Sequence, residues 1–176
     1  MESKEPAAEA LLIITGSMGS GKTSVLAEAS DILSERGIPH ATIDLDALGT
    51  VHLPLGVIGD SLMYRNLQTV WSNYAALGLT RILVARAMEN LTELECCRRA
   101  VSARKTVVCR LTASIKTMQE RVRMREIGIL QQRFVDRVAE LDAVLNCAQL
   151  EDFSVANENR AVTDVAREIL VRAGWP

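Results

Sequence analysis

No run of about 18 consecutive apolar residues occurs anywhere in the chain, which excludes a membrane-spanning helix. Met1 to Ala10 is acidic and has no apolar core, so the start predicts neither a signal peptide nor a transit peptide, and the expected location is cytoplasmic. Histidine is confined to His40 and His52. The four cysteines, Cys96, Cys97, Cys109 and Cys147, lack metal-ligand spacing, since adjacent Cys96 and Cys97 cannot form a C-x-x-C clip. Reduced thiols are therefore expected. Charge of one sign is missing too: 20 basic and 22 acidic side chains leave a net −2, and nothing predicts a nucleic-acid partner. No internal repeat or low-complexity segment is visible.

What remains is the composition of a folded enzyme-sized unit. Apolar residues make up 48% and charged residues 24% of 176 positions, enough for one domain with a sizeable core. Residues 1–10 are expected to be flexible. Leu11 to Thr15 is a short continuous apolar run, as in a strand buried on both faces. Further strands are expected at Ala41–Leu45, Arg81–Ala85, Thr106–Leu111 and Phe153–Ala156. Helical spacing of apolar residues separates them: Val25 to Leu33, closed by Gly37 with Pro39 beyond; Leu67 to Leu77; Leu91 to Val101; and Ser114 to Arg125. A helix carrying Leu130 to Leu145 follows Gly128, and a closing helix over Val162–Leu170 has Thr163 as its expected N-cap. Residues 47–60, rich in glycine and proline, read as a loop. Alternation of strands and helices predicts an α/β fold: a five-stranded parallel sheet with helices on both faces.

Between the first strand and the first helix, Gly16-Ser17-Met18-Gly19-Ser20-Gly21-Lys22-Thr23 fits G-x-x-x-x-G-K-[ST] at every fixed position. Glycines let successive backbone N–H groups converge on phosphate oxygens, and the helix N-terminus adds its positive dipole. Lys22 reaches β- and γ-phosphates, and the Thr23 hydroxyl suits Mg²⁺. Residues 16–23 and Ser24 are the expected phosphate contacts, with ATP and Mg²⁺ as the expected cofactors. The motif alone does not separate a kinase from an ATPase, a GTPase or a nucleotide sensor.

Asp44 and Asp46 close the second strand. If both lie on it, they face one side and point into the crevice where the phosphate loop opens. One acid there can hold Mg²⁺ or its waters, and the other can orient and deprotonate a hydroxyl. The plain alternative is a polar turn or helix cap. No aspartate follows the third strand, where Arg86 and Glu89 stand instead, which argues against a motor-type ATPase.

The stretch from Leu11 to Asp46 resembles the start of P-loop small-molecule kinases, among them adenylylsulfate, shikimate and gluconate kinases and chloramphenicol phosphotransferase. Leu33-Ser34-Glu35-Arg36-Gly37 leading to Asp44-Leu45-Asp46 is similar to adenylylsulfate kinase, and Leu45-Asp46-Ala47-Leu48 to chloramphenicol phosphotransferase. The resemblance implies a magnesium-side role for Asp44 and the acceptor hydroxyl for Asp46. Ala47, Leu48 and Gly49 depart from the asparagine and arginine that follow in adenylylsulfate kinases, which speaks against that substrate. The resemblance further implies a lid on 114–148 with Arg121 or Arg125 closing over phosphates, and an adenine border at Asn157, Asn159 and Arg160. Arg121 and Arg125 share a helix face, while Arg123 points elsewhere.

Acceptor specificity is expected from Leu48 to Gly78. Tyr64 and Arg65 are its candidate contacts, and Trp71 and Tyr74 are expected in the core. The apolar residues Val51, Leu53, Leu55, Val57 and Ile58 suit either a partly hydrophobic acceptor or a homodimer contact. The function expected is transfer of the ATP γ-phosphate to a small-molecule hydroxyl, with Lys22, Asp46, Arg121 and Arg125 as catalytic residues. The alternatives are a nucleoside or nucleotide kinase, and a regulatory ATPase of low turnover.

Overall fold

A computed structural model of the chain describes residues 7–54 and 61–176. Five strands, β1 (Ala10–Thr15), β2 (Ala41–Asp44), β3 (Arg81–Ala85), β4 (Lys105–Thr112) and β5 (Phe153–Ala156), form one sheet in the order β2-β3-β1-β4-β5. Every pairing is parallel. Helices α1 (Lys22–Glu35) and α7 (Val162–Arg172) cover one face, and α3 (Leu62–Ala76) and α4 (Leu91–Ala100) cover the other. Two further helices, α5 (Ile115–Arg125) and α6 (Gln131–Ala148), pack on each other at one end.

The period-two alternation of β1 explains why both faces need cover. Leu12 and Ile14 enter the core under α1 and α7, whereas Leu11 and Ile13 enter the core under α3 and α4, where Trp71 is also buried. Val25, Leu26, Ala29, Ile32 and Leu33 of α1 are all buried, each worth about 1.5–3 kcal/mol if aliphatic and large. That helix ends as its sequence demands. Gly37 takes a left-handed φ of 65°, its N–H donates to Ser34 O, and Ile38 N–H donates to Leu33 O.

Three local expectations are corrected. The second strand stops at Asp44, and Leu45–Gly49 forms a short helix, α2, where a loop was expected from residue 47. The cause is a cap: the Asp44 carboxylate accepts the Asp46 N–H at 3.2 Å, and fully buried Leu45 anchors the turn. Thr163 does not cap α7. Ala161 holds the N-cap position, while the Thr163 hydroxyl donates to Glu28 Oε1 at 2.6 Å and ties α7 to α1. Ala8, expected within a flexible start, is buried, and its N–H donates to Val101 O at 2.9 Å. Residues 1–6, and Leu55, Val57 and Ile58 of the apolar loop, lie outside the described residues. Val51 is exposed and Leu53 half-buried.

Candidate active site

The phosphate loop leaves β1 and enters α1, whose N-terminus has neither a side-chain cap nor an acidic residue in its first turn. An anion there meets unpaired N–H groups and the positive end of a 14-residue dipole. Gly19 and Gly21 adopt φ of 77° and 95°, and each is also crowded. A Cβ on Gly19 would lie 2.2 Å from Met118 O of α5, and one on Gly21 would lie 2.3 Å from Asn157 Nδ2. The loop is therefore glycine-bound by its neighbours as well as by its backbone.

Lys22 Nζ donates to Gly16 O at 3.0 Å and Ser17 O at 3.2 Å, folded back on the loop that a phosphate would fill. Burial pushes its pKa down to about 8, and the carboxylates of Asp46 and Asp44 oppose that shift. A bound triphosphate adds negative charge and raises the value again. Nucleotide binding should then take up a proton above pH 8, and ATP affinity should fall by about tenfold per unit as pH rises beyond it. Calorimetry at pH 9 in buffers of different ionisation enthalpy measures this uptake; no buffer dependence would show that Lys22 keeps its proton throughout.

Thr23 Oγ1 donates to Asp44 Oδ2 at 2.8 Å, so the two expected metal-side groups meet although 21 residues apart. They are hard oxygen donors beside the phosphate loop and suit Mg²⁺, whose remaining ligands are normally phosphate oxygens and water. No cluster of three His, Cys, Asp or Glu side chains is present among the described residues, so the protein alone offers no closed metal cage.

Asp44 and Asp46 do not share a strand face. Asp44 caps α2, while Asp46 sits in its first turn and pairs with Arg86 Nη1 at 2.5 Å. Sequence reasoning missed Arg86 as a functional partner. It follows β3, which lies directly beside β2, and the register Asp44↔Ala85 brings the two segments together. The only sequence signal was a charged residue ending an apolar strand.

Helices α5 and α6 and the loop after β5 hold the phosphate loop from outside. Arg121 donates to Gly19 O at 3.2 Å and to Asn157 O at 2.9 Å, Asn157 Nδ2 donates to Ser20 O at 2.7 Å, and Ser17 Oγ donates to Val138 O of α6 at 2.8 Å. Arg121, Arg125, Arg160, Met124 and Asn157 line a cleft of about 640 Å³ with Gly19, Lys22, Thr23 and Ser24. Met18 packs instead against α5 and α6, and Arg123 is exposed outside the cleft. Arg125 is exposed and paired with Glu126 at 2.8 Å.

A second cavity, of about 1030 Å³, has Asp46 in its wall. Arg86, Tyr64, Glu93, Cys96 and Phe134 line it along with apolar Val51, Leu62 and Met63. Tyr64 belongs to this wall, but its hydroxyl is buried without a partner among the described residues, as is Arg86 Nε. Burial, reinforced by Glu93, holds the Tyr64 hydroxyl protonated well above the usual phenol range. Arg65 lies outside this cavity, and Trp71 is in the core as expected.

No protein-family model and no curated protein sequence matches the chain. Solved structures do. A tunicamycin resistance protein from Deinococcus radiodurans is 18% identical over 96% of this chain and 97% of its own, with a TM-score of 0.63. A gluconokinase from Sinorhizobium meliloti 1021 is 18% identical over 97% of this chain and 93% of its own, at 0.59. An APS kinase from Mycobacterium tuberculosis, in complex with AMPPNP and APS, is 16% identical over 94% and 98%, at 0.57. The chain shares its fold with P-loop small-molecule kinases.

Proposed function

We propose that this chain is an ATP-dependent phosphotransferase acting on the hydroxyl of a small molecule. The observation carrying this reading is the position of Asp46: the strongest charge acting on Lys22 is also a wall of the 1030 Å³ cavity. One carboxylate thus lies between the phosphate loop and a space large enough for an acceptor, where a base for phosphoryl transfer is needed.

In this reading the loop amides and the α1 dipole hold the triphosphate, and Lys22 turns from Gly16 O and Ser17 O towards β- and γ-phosphates. Thr23 and Asp44 hold Mg²⁺, which neutralises phosphate charge when bound. Asp46 accepts the acceptor's hydroxyl proton as the oxygen forms its bond to the γ-phosphorus and the bond to the ADP oxygen breaks. Arg86 pairs with the Asp46 carboxylate and holds it in place. The test is incubation with γ-labelled ATP and a panel of hydroxyl compounds. Label on an organic product supports the reading, and label found solely as inorganic phosphate supports a slow regulatory ATPase instead.

The two lid arginines should differ. Arg125→Ala should cut kcat roughly 10–100-fold with little change in the KM for ATP, the loss of one charge-assisted hydrogen bond made as the lid closes. Arg121→Ala should raise that KM as well, since Arg121 braces Gly19 O and Asn157 O before any ligand arrives. Equal effects on both parameters in both variants would reject the division.

A further inference from the structure

Beside the acceptor cavity runs a groove of about 640 Å³ between α3 and α4, and the two share Ser61, Tyr64 and Cys96. Their charges differ. In the acceptor cavity the one cation among the described lining residues, Arg86, faces Asp46 and Glu93. In the groove, Arg65, Arg98 and Arg99 face a single carboxylate, Glu95. Arg98 pairs with that carboxylate at 2.9 Å, and Arg99 donates to Glu95 O and Cys96 Sγ on its own helix.

Arg98 and Arg99 close the last turn of α4, where cations answer the helix dipole. Arg65 is exposed on the facing helix. It stands near the start of α3, the end at which a helix dipole disfavours a cation, and its guanidinium has no partner among the described residues. The same helix start has no side-chain cap from Ser61 and no acid in its first turn. The start of a 15-residue helix without a side-chain cap from Ser61, and an exposed arginine without a partner among the described residues, therefore face the groove from one side, and two more arginines from the other.

We propose that this groove is an oxyanion subsite continuous with the acceptor cavity, so that the acceptor carries a phosphate or carboxylate at the end away from its reacting hydroxyl. The word acceptor rests on the phosphotransferase reading; the subsite itself does not. The inner cavity suits an uncharged, partly apolar body, because its guanidinium is already committed to Asp46. The outer groove supplies the bidentate donors that oxyanions fit.

Cys96 reports on the junction. It is half-buried and lines both spaces, whereas Cys97 and Cys109 are buried. Alkylation by N-ethylmaleimide, followed by peptide mapping, separates Cys96 from exposed Cys147. Phenyl phosphate or phenylacetate should slow Cys96 alkylation by about tenfold at roughly ten times its Kd, and benzyl alcohol at equal concentration should not. Whichever anion protects identifies the group taken. Protection should vanish in Arg65→Gln/Arg98→Gln, whose fold is checked by circular dichroism, and persist in Lys22→Ala. Protection by benzyl alcohol equal to that by the anions, protection surviving loss of both arginines, or no protection by either anion at saturation in solubility overturns the subsite. Protection by the anions, with label from γ-labelled ATP found solely as inorganic phosphate across the panel of hydroxyl compounds, would leave the subsite standing and reject the kinase reading.

Discussion

Lys22→Ala is expected to lose measurable ATP binding and all phosphoryl transfer while keeping its melting temperature within a few degrees. The side chain now donates only to Gly16 O and Ser17 O, two carbonyls on the open side of the loop. Its burial lowers its pKa, so at neutral pH the protein holds a charge that is incompletely solvated. Removing it relieves that strain in the free protein and removes the cation from the complex. The two consequences have opposite signs, and their separation is what identifies a binding lysine rather than a structural one. Calorimetric titration with ATP beside a thermal melt measures both. Wild-type affinity in a folded Lys22→Ala protein would reject the assignment of the loop.

Asp46→Asn should leave Mg-ATP affinity nearly intact and cut transfer by roughly a hundredfold or more, the usual scale of lost general-base help. The substitution keeps the shape and one acceptor oxygen beside Arg86. Asp46 is largely exposed, so breaking the charge pair should cost no more than about 1 kcal/mol of stability. A large loss of rate therefore cannot be ascribed to unfolding. Asp44→Asn should behave otherwise, raising the magnesium needed for half-maximal rate, because its carboxylate touches Thr23. A magnesium titration of both variants separates the roles. Normal turnover in Asp46→Asn with a dead Asp44→Asn would show the assignments to be reversed.

How far the site can be read from sequence depends on how local its parts are. The phosphate loop is eight consecutive residues, and its place between a strand and a helix was legible. The sheet was legible because its strands are apolar runs buried on both faces, with glycines marking helix ends. Asp44 and Asp46 were found, but their geometry was not: a short carboxylate that can bond the N–H two residues on makes a cap, and the strand ends there. Arg86 was passed over because its meaning depends on β2 lying next to β3, an order that no local pattern encodes. Arg121 was placed on a lid by resemblance. Its bond to Gly19 O spans 102 residues and makes it part of the loop's support before any closure.

The position of β1 has a consequence for how the protein is made. This strand is the centre of the sheet, yet its partners Arg81–Ala85 and Lys105–Thr112 come about seventy and ninety-five residues later in the chain. At about 5–20 residues per second, Leu11 to Ile14 waits several seconds on the nascent chain with both edges unpaired. Among the described residues, α1, β2, α2 and α3 all precede β3 in the chain. Productive folding thus begins late, when the middle of the chain arrives to zip onto its beginning.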